Sequence, residues 1–394
     1  HPTAGPGMTM GPWGIHFDRM NTWFEQGRLW LRYMARCQAL LQQGLPVRDL
    51  LYFTGEEANI YTRVERNSIV PAPPQGYDYD IINAGAIINK VSISNGEIVL
   101  PHGMRYRVLV LQNFKGITLP LLRKLAALVT EGMLLVGAKP KQSLGLISQA
   151  DEEAFRNTAE ALWGSIDGKG VIENRVGKGL VMWAPSLTTM LQRLHIKPDF
   201  VFSSRSNDAP LLYVHRRTHE ADVYFVCNQR RTTEDVVCSF RVKNKVPEVW
   251  DAATGTMMPS HVYETAADEI RLPLQLESYG SLFVVFRKPA SAQRIVNVKN
   301  HNTTLLQTNH FQQRRRTLFP GINNNFSISL WAKPEMNIMT KPSVHMGNVA
   351  HPYTDYYAVY PSPGASLYGA GHAVCGLAIG RNGVAVWENE NYPV

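Results

Sequence analysis

The chain has 394 residues, enough for about two or three domains at roughly 150 residues each. With 44% hydrophobic and 18% charged residues it can bury packed cores, which excludes wholesale disorder, and it has no run of about 18 uncharged apolar residues that would span a membrane. The net charge of +8 is dispersed along the chain and not striped on one helix, so nucleic acid is not an expected partner.

The first 27 residues open on a Gly/Pro-rich run from Gly5 to Gly14, a composition that makes a loop able to pass close to other groups. Apolar residues at Trp23, Trp30, Met34, Cys37 and Leu41 then recur every three or four positions, which predicts a helix from about Thr22 to Gln43. Thr22 and Glu25 have capping-box spacing, and Gly44 followed by Pro46 marks the stop. Residues 47–145 alternate strand and helix: Val47 to Phe53, Asp80 to Asn83, and a hairpin turn at Ser94-Asn95-Gly96. Tyr106 to Leu111 is a continuous apolar run suited to a strand buried on both faces. A helix capped by Thr118, with Leu121, Leu125 and Leu128 on one side and Gly132 at its end, leads to a strand at Met133 to Val136. Strand, helix and strand make a βαβ unit, and without G-x-G-x-x-G after its first strand it is no dinucleotide cradle. A further helix is expected over Asp151 to Leu162.

From about Leu211 the hydrophobic period falls to two. Ala221 to Asn228, Asp235 to Val242, Glu248 to Asp251, Glu269 to Leu276 and Ser281 to Arg287 predict an antiparallel β-sandwich. Residues 289–322 are polar and aperiodic, as in a linker that also holds Arg314-Arg315-Arg316. Phe326 to Ala332 reads as a strand, and His372 to Ile379 with Gly383 to Glu388 as a hairpin. Cys37, Cys227, Cys238 and Cys375 are too few for a disulfide framework. Only Cys227 and Cys238, flanking one hairpin-like segment, are placed to pair, and a free buried cysteine is the commoner outcome. No signal peptide is visible; the opening at His1 and the end just after a strand-like run suggest a piece of a longer protein.

Chemistry-bearing residues concentrate at the amino end: Trp13, His16, Asp18, Arg19, Trp23 and Glu25. Flat aromatic faces beside carboxylates and an arginine suit a sugar, whose C–H faces pack on rings and whose hydroxyls bind planar charged groups. Asp18 and Glu25 precede or open the helix, where its dipole favours negative charge. On spacing alone, Glu25 reads better as a capping residue, His16 as a hydrogen-bonded core histidine, and Trp23 and Trp30 as core side chains. His215-Arg216-Arg217 and His219 lack zinc spacing, and Asp78 with Asp80 fits a calcium site or an Asx-capped turn. Ser203-Ser204 has no G-x-S-x-G around it. No cysteine follows the βαβ strand, so glutaminase-type nucleophilic chemistry is absent there.

These residues carry a resemblance. Gly5 to Arg19 (GPGMTMGPWGIHFDR), Asn21 to Gln26 (NTWFEQ), Tyr33 to Gln38, Gly76 to Asp80 (GYDYD), Tyr106 to Leu111, Gly137-Ala138-Lys139-Pro140, Pro198-Asp199-Phe200, His215-Arg216, Tyr224 to Asn228, Ser239-Phe240-Arg241 and Gly280 to Phe286 resemble glycoside hydrolase family 106, the α-L-rhamnosidases. The likeness covers about residues 1–288. Phe326 onward, with Gly376 to Gly383, is similar to a laminin-G or concanavalin-type jelly roll.

The resemblance implies a multidomain α/β plus all-β protein. Residues 1–46 would be the C-terminal remnant of a (β/α)8 catalytic barrel, 47–205 an amidotransferase-like α/β domain and 206–288 an antiparallel β-sandwich. Residues 289–322 would be a linker and 323–394 a partial laminin-G or concanavalin-like domain. It also implies an inverting, calcium-assisted, periplasmic or extracellular glycosidase acting on an oligosaccharide or polysaccharide that contains rhamnose. Glu25 matches the glutamate of the family's Trp-Trp-Glu-Gln motif, with Phe24 replacing the second Trp. It would be the catalytic carboxylate, as general base or as calcium or substrate ligand. Trp13, His16, Asp18, Arg19 and Trp23 would bind substrate, and the partner carboxylate would lie upstream of His1. A barrel needs about 250 residues, so the isolated chain is expected to be inactive. The rival expectation is a non-catalytic carbohydrate-binding or structural accessory fragment.

Overall fold

The computed structural model describes residues 23–57, 65–112, 114–204, 209–266 and 268–290, and beyond them the backbone of five strands. It separates into two compact units.

The larger unit, Arg36–Arg316, begins in the C-terminal part of helix α1 (Phe24–Leu41). Its first half is a six-stranded sheet of β1 (Leu50–Phe53), β2 (Tyr79–Ile82), β3 (Val108–Leu111), β4 (Leu134–Val136), β5 (Glu173–Val176) and β6 (Gly179–Met182), in the order β5-β6-β4-β3-β1-β2. All neighbours are parallel except β5, which pairs antiparallel at the edge. Alternating side chains along each strand divide the sheet into two faces. Leu51, Phe53, Leu109, Leu111 and Leu135 meet helices α2 (Ala84–Lys90), α3 (Leu119–Glu131) and α4 (Gln149–Trp163). Leu50, Tyr52, Val108, Val110 and Val136 meet helix α5 (Leu187–Arg193). Cover on both faces is why β1, β3 and β6 are buried at every position.

The expected βαβ unit is β3-α3-β4, with Leu121, Leu125 and Leu128 buried and Gly132 closing the helix at φ 130°. Thr118 holds the N-cap position, but its hydroxyl donates to Glu56 (3.0 Å) and does not cap the helix. Ser148 caps α4 by accepting from Asp151 N–H (3.2 Å), and the helix begins at Gln149, two residues before the predicted start. Asn95 (φ 55°) and Gly96 (φ 78°) form the predicted hairpin turn, between Ser92–Ser94 and Glu97–Val99.

The second half is a sandwich of two antiparallel sheets. One orders Leu45–Pro46, β8 (Leu211–Arg217), β9 (Asp222–Asn228), β15 (Ser281–Pro289), β11 (Lys245–Trp250) and β12 (Met257–Pro259). The other orders β7 (Phe200–Ser204), β10 (Glu234–Phe240), β14 (Glu269–Leu276) and β13 (Glu264–Ala266). Alternate residues of β10 and β14, including Val236, Cys238, Phe240, Ile270, Leu272 and Leu274, pack with Tyr224, Val226, Val284 and Phe286 between the sheets. β9 and β10 therefore do not form the hairpin that their sequence proximity suggests; they lie in different sheets. Cys227 and Cys238 are free, half-buried and buried respectively, which corrects the idea that a hairpin sets them side by side. Within the polar stretch read as a linker, Asn297–Asn300 and Thr303–Gln307 pair as an antiparallel hairpin.

The smaller unit takes in residues 1–35 and 317–394. It contributes the N-terminal part of α1 and an antiparallel sheet of Tyr356–Tyr360, Val374–Gly380 and Gly383–Asn389, whose last two strands are the predicted hairpin. The strand expected at Phe326 to Ala332 and the arginine run at 314–316 lie outside the described residues.

Candidate functional site

Two of the six amino-terminal candidates are described; Trp13, His16, Asp18 and Arg19 lie outside the described residues. Glu25 stands in the first turn of α1 with its side chain exposed. Trp23 precedes the helix, half-buried, and its ring lies over Gly27, where an added Cβ would come within 3.0 Å of it. The small residue thus lets the indole settle flat against the first turn. The helical periodicity holds, yet the side chains it places together do not share one degree of burial. Cys37 is buried and Met34 half-buried, whereas Phe24, Leu29, Trp30 and Leu31 are 40–63% exposed. An exposed carboxylate among exposed rings can meet a large polar ligand with apolar faces, which is what a sugar presents.

The larger unit holds a second polar constellation, around His215 on β8. Asp199, just before β7, accepts from His215 Nδ1 (2.9 Å), and Asp222, at the start of β9, accepts from Nε2 (3.1 Å). The imidazole stacks on Tyr224, its partner across the β8–β9 ladder, with centroids 3.8 Å apart. Tyr224 Oη donates to Asp199 Oδ1 (3.1 Å), and Arg241 Nη2 lies 3.2 Å from that same oxygen. Arg241 also donates to both oxygens of Asp49 (3.0 Å each), the residue that precedes β1 in the α/β sheet. Asp222 takes Arg217 Nε (2.6 Å) and Lys245 Nζ (2.9 Å) as well. The network joins the first parallel strand to both sheets of the sandwich.

Its electrostatics follow from this geometry. Burial alone would discharge His215, but the charges of Asp199 and Asp222 and their hydrogen bonds outweigh it and hold the ring protonated above its ordinary range. Burial likewise opposes ionisation of Asp199 and Asp222, yet His215 and the neighbouring cations bring both carboxyls below their usual value. At Asp49 burial prevails over Arg241 and raises the carboxyl. Both ring nitrogens are occupied and the imidazole has no exposed surface, so His215 cannot exchange a proton with a substrate. Its role is to hold the two halves of the unit together.

Sequence reasoning gave His215 no partners, because Asp199 and Asp222 are distant along the chain or on the next strand. One signal was available: on β8 it shares a face with Leu211 and Tyr213, and a polar residue on a core-facing row needs buried partners. Asp78 and Asp80 do not fit a calcium site, because Arg48 binds both, Nε to Asp78 at 3.0 Å and Nη1 to Asp80. Among the described residues no group of three His, Cys, Asp or Glu is arranged to hold a metal.

The sequence compares with known proteins as follows. Residues 2–265 match the glycoside hydrolase 106 family, described as alpha-L-rhamnosidase. A protein of Formosa agariphila that carries the name "Putative beta-glucuronidase" is 35% identical over 301 residues, 75% of this chain and 24% of its own. A solved rhamnosidase of Novosphingobium sp. PP1Y superposes with a TM-score of 0.66 at 32% identity, over 75% of this chain and 28% of its own. The chain thus spans about a quarter of the length of these relatives.

Proposed function

The chain belongs to glycoside hydrolase family 106, and on that footing we propose that it is part of an inverting α-L-rhamnosidase that hydrolyses terminal α-L-rhamnosyl linkages in plant or microbial glycans. The observation that carries this reading is the extent of the family match, which runs from the amino-terminal entrance segment into the sandwich. Residues 1–46 would be the last wall of the catalytic barrel, and 323–394 a laminin-G or concanavalin-like β-domain, a reading supported by its antiparallel hairpin. The cellular setting would be periplasmic or extracellular, where such glycans are met.

Glu25 would be the catalytic carboxylate, and its exposure at the start of α1 supports that role. In an inverting reaction one carboxylate takes a proton from water as it attacks the anomeric carbon. A carboxylic acid about 6.5–9.5 Å away protonates the departing glycosidic oxygen as the C–O bond breaks. Glu25 suits the first task, with the acid supplied from elsewhere in the barrel. Trp23 and Trp13 would pack on the sugar face, and His16, Asp18 and Arg19 would bind its hydroxyls. Calcium, when bound, would hold sugar hydroxyls, through ligands other than Asp78 and Asp80.

The name carried by the Formosa agariphila relative favours a second reading, in which the sugar removed is a glucuronic acid. A non-catalytic, carbohydrate-binding role for the fragment is the third. Parallel assays on an aryl α-L-rhamnoside and an aryl β-D-glucuronide separate them. The complete protein is expected to cleave the rhamnoside and release the inverted anomer, while the 394-residue chain alone turns over neither substrate. Cleavage of the glucuronide alone would replace the sugar assignment, and turnover by the isolated chain would remove the need for the missing barrel.

A further inference from the structure

Beside the ionic network the larger unit opens a cleft of about 580 Å³ between the parallel sheet, the Ser92–Tyr106 hairpins and the sandwich. Eleven of its 17 lining residues are charged, seven Lys or Arg against four Asp or Glu, in a chain with only 18% charged residues overall. Arg48 is already bound by Asp78 and Asp80 outside the lining, which leaves six cations against four acids in one concavity, where low-dielectric walls focus the field. We propose that this cleft binds an anionic saccharide, recognising carboxylate or sulfate groups on a short oligosaccharide.

The ion pairs show why positive charge is left over. Every acidic lining residue already has a cation: Asp49 has Arg241, Asp222 has Arg217, Glu97 has Arg105, and Asp268 has both Lys197 (2.9 Å) and Lys243 (2.5 Å). Two ammonium groups on one carboxylate hold Asp268 ionised, down to about 2, and still leave a net positive charge at the rim. Arg107 approaches Asp49 with Nε at 3.3 Å and is 40% exposed, so its guanidinium can meet a ligand as well. Lys197 and Lys243 are each 63% exposed and Arg107 40%, so their heads are within reach from solvent. Planar guanidinium groups and paired ammoniums bind carboxylate and sulfate oxygens by charge-assisted hydrogen bonds.

The volume lies within the range of small-ligand sites, about 300–1,000 Å³. Among the described residues no Phe, Tyr or Trp lines the cleft, so it lacks the stacking platforms with which proteins hold single-stranded nucleic acid, and a sugar there is held by charge and not by ring faces. The saccharide class rests on the glycoside hydrolase reading; the anionic character rests on the cleft alone. The lining residues lie among residues 45–268 and do not include Glu25.

Titration calorimetry on the 394-residue chain at low salt, with tri-galacturonate, a sulfated galactose disaccharide, neutral galactotriose and a short oligonucleotide, tests this. At least one acidic saccharide should bind, the two arms telling carboxylate from sulfate, and the neutral sugar should not. Raising the salt should weaken binding. Arg107→Ala, and separately Lys197→Ala with Lys243→Ala, should each weaken it about tenfold or more with an unchanged unfolding midpoint, whereas Lys90→Ala should not. The proposal is overturned if neither acidic saccharide binds, if galactotriose binds as well, if only the oligonucleotide binds, or if the variants bind like wild type. None of these outcomes touches rhamnoside turnover, so the hydrolase reading stands or falls separately.

Discussion

The seam at His215 and the start of α1 handle polar and apolar groups in opposite ways. At the seam, charged side chains are taken out of water and each is met by an opposite charge or a hydrogen bond, as with Asp199, which serves His215, Tyr224 and Arg241 at once. At the start of α1, Glu25 is exposed and large apolar side chains stand in solvent around it. Burying a charge is tolerable only when its partners are complete, so the seam spends its polar groups on cohesion and keeps none for a substrate. An exposed carboxylate contributes little to cohesion, and on the proposed reading Glu25 is the group offered to substrate. Perturbed titration marks functional sites often, but among the described residues the histidine whose titration is shifted, His215, belongs to the scaffold.

Substitutions can break this contrast. In the complete protein, Glu25→Gln is expected to lower turnover of an aryl α-L-rhamnoside by about 10²–10⁴-fold, the range of a lost general acid or base. The unfolding midpoint of the chain should stay within about 0.5 kcal/mol, as for an exposed side chain. Asp199→Ala should do the reverse. It leaves His215 and Arg241 short of a partner in a buried place, and urea unfolding should show a loss of about 3–5 kcal/mol.

The pH dependence of stability sharpens the comparison. His215 titrates above its unfolded value of about 6.5, so its contribution is whole below that pH and is lost as pH rises through the folded value. Asp199 and Asp222, held below about 3.8, contribute above that pH and lose their contribution on acidification; Asp49, raised by burial, opposes the acid loss. Denaturant midpoints across pH should therefore decline on the alkaline side, and His215→Ala should flatten that limb. Among the seam substitutions Tyr224→Phe should have the smallest effect, about 0.5–1.5 kcal/mol, because Asp199 keeps His215 and Arg241 when the hydroxyl is lost.

Local pattern made much of the architecture legible. The α3 stripe and the Asn95-Gly96 turn are written in residues close together and form where their pattern places them, while the run expected over Tyr106–Leu111 forms the parallel strand only at Val108–Leu111, Arg105–Tyr106 pairing instead with Glu97–Val99. The partnering of β7 with β10 and the separation of β9 from β10 into different sheets were not legible, because alternation tells which face of a strand is buried and not which strand lies beside it. The same limit hid the seam, whose members come from Asp49, Asp199, His215, Asp222 and Arg241 and meet only when two sheets and a parallel strand converge. The amino-terminal candidates were read from their motif alone; Trp23 and Glu25 stand at the head of one helix, and Trp13, His16, Asp18 and Arg19 lie outside the described residues.

The contrast between the proposed substrate-binding end and the bonded seam is tested most directly by measuring aryl α-L-rhamnoside turnover and unfolding midpoint together on the complete protein and its Glu25→Gln variant. The account predicts that turnover collapses while the midpoint holds. Unchanged turnover in the variant would contradict it.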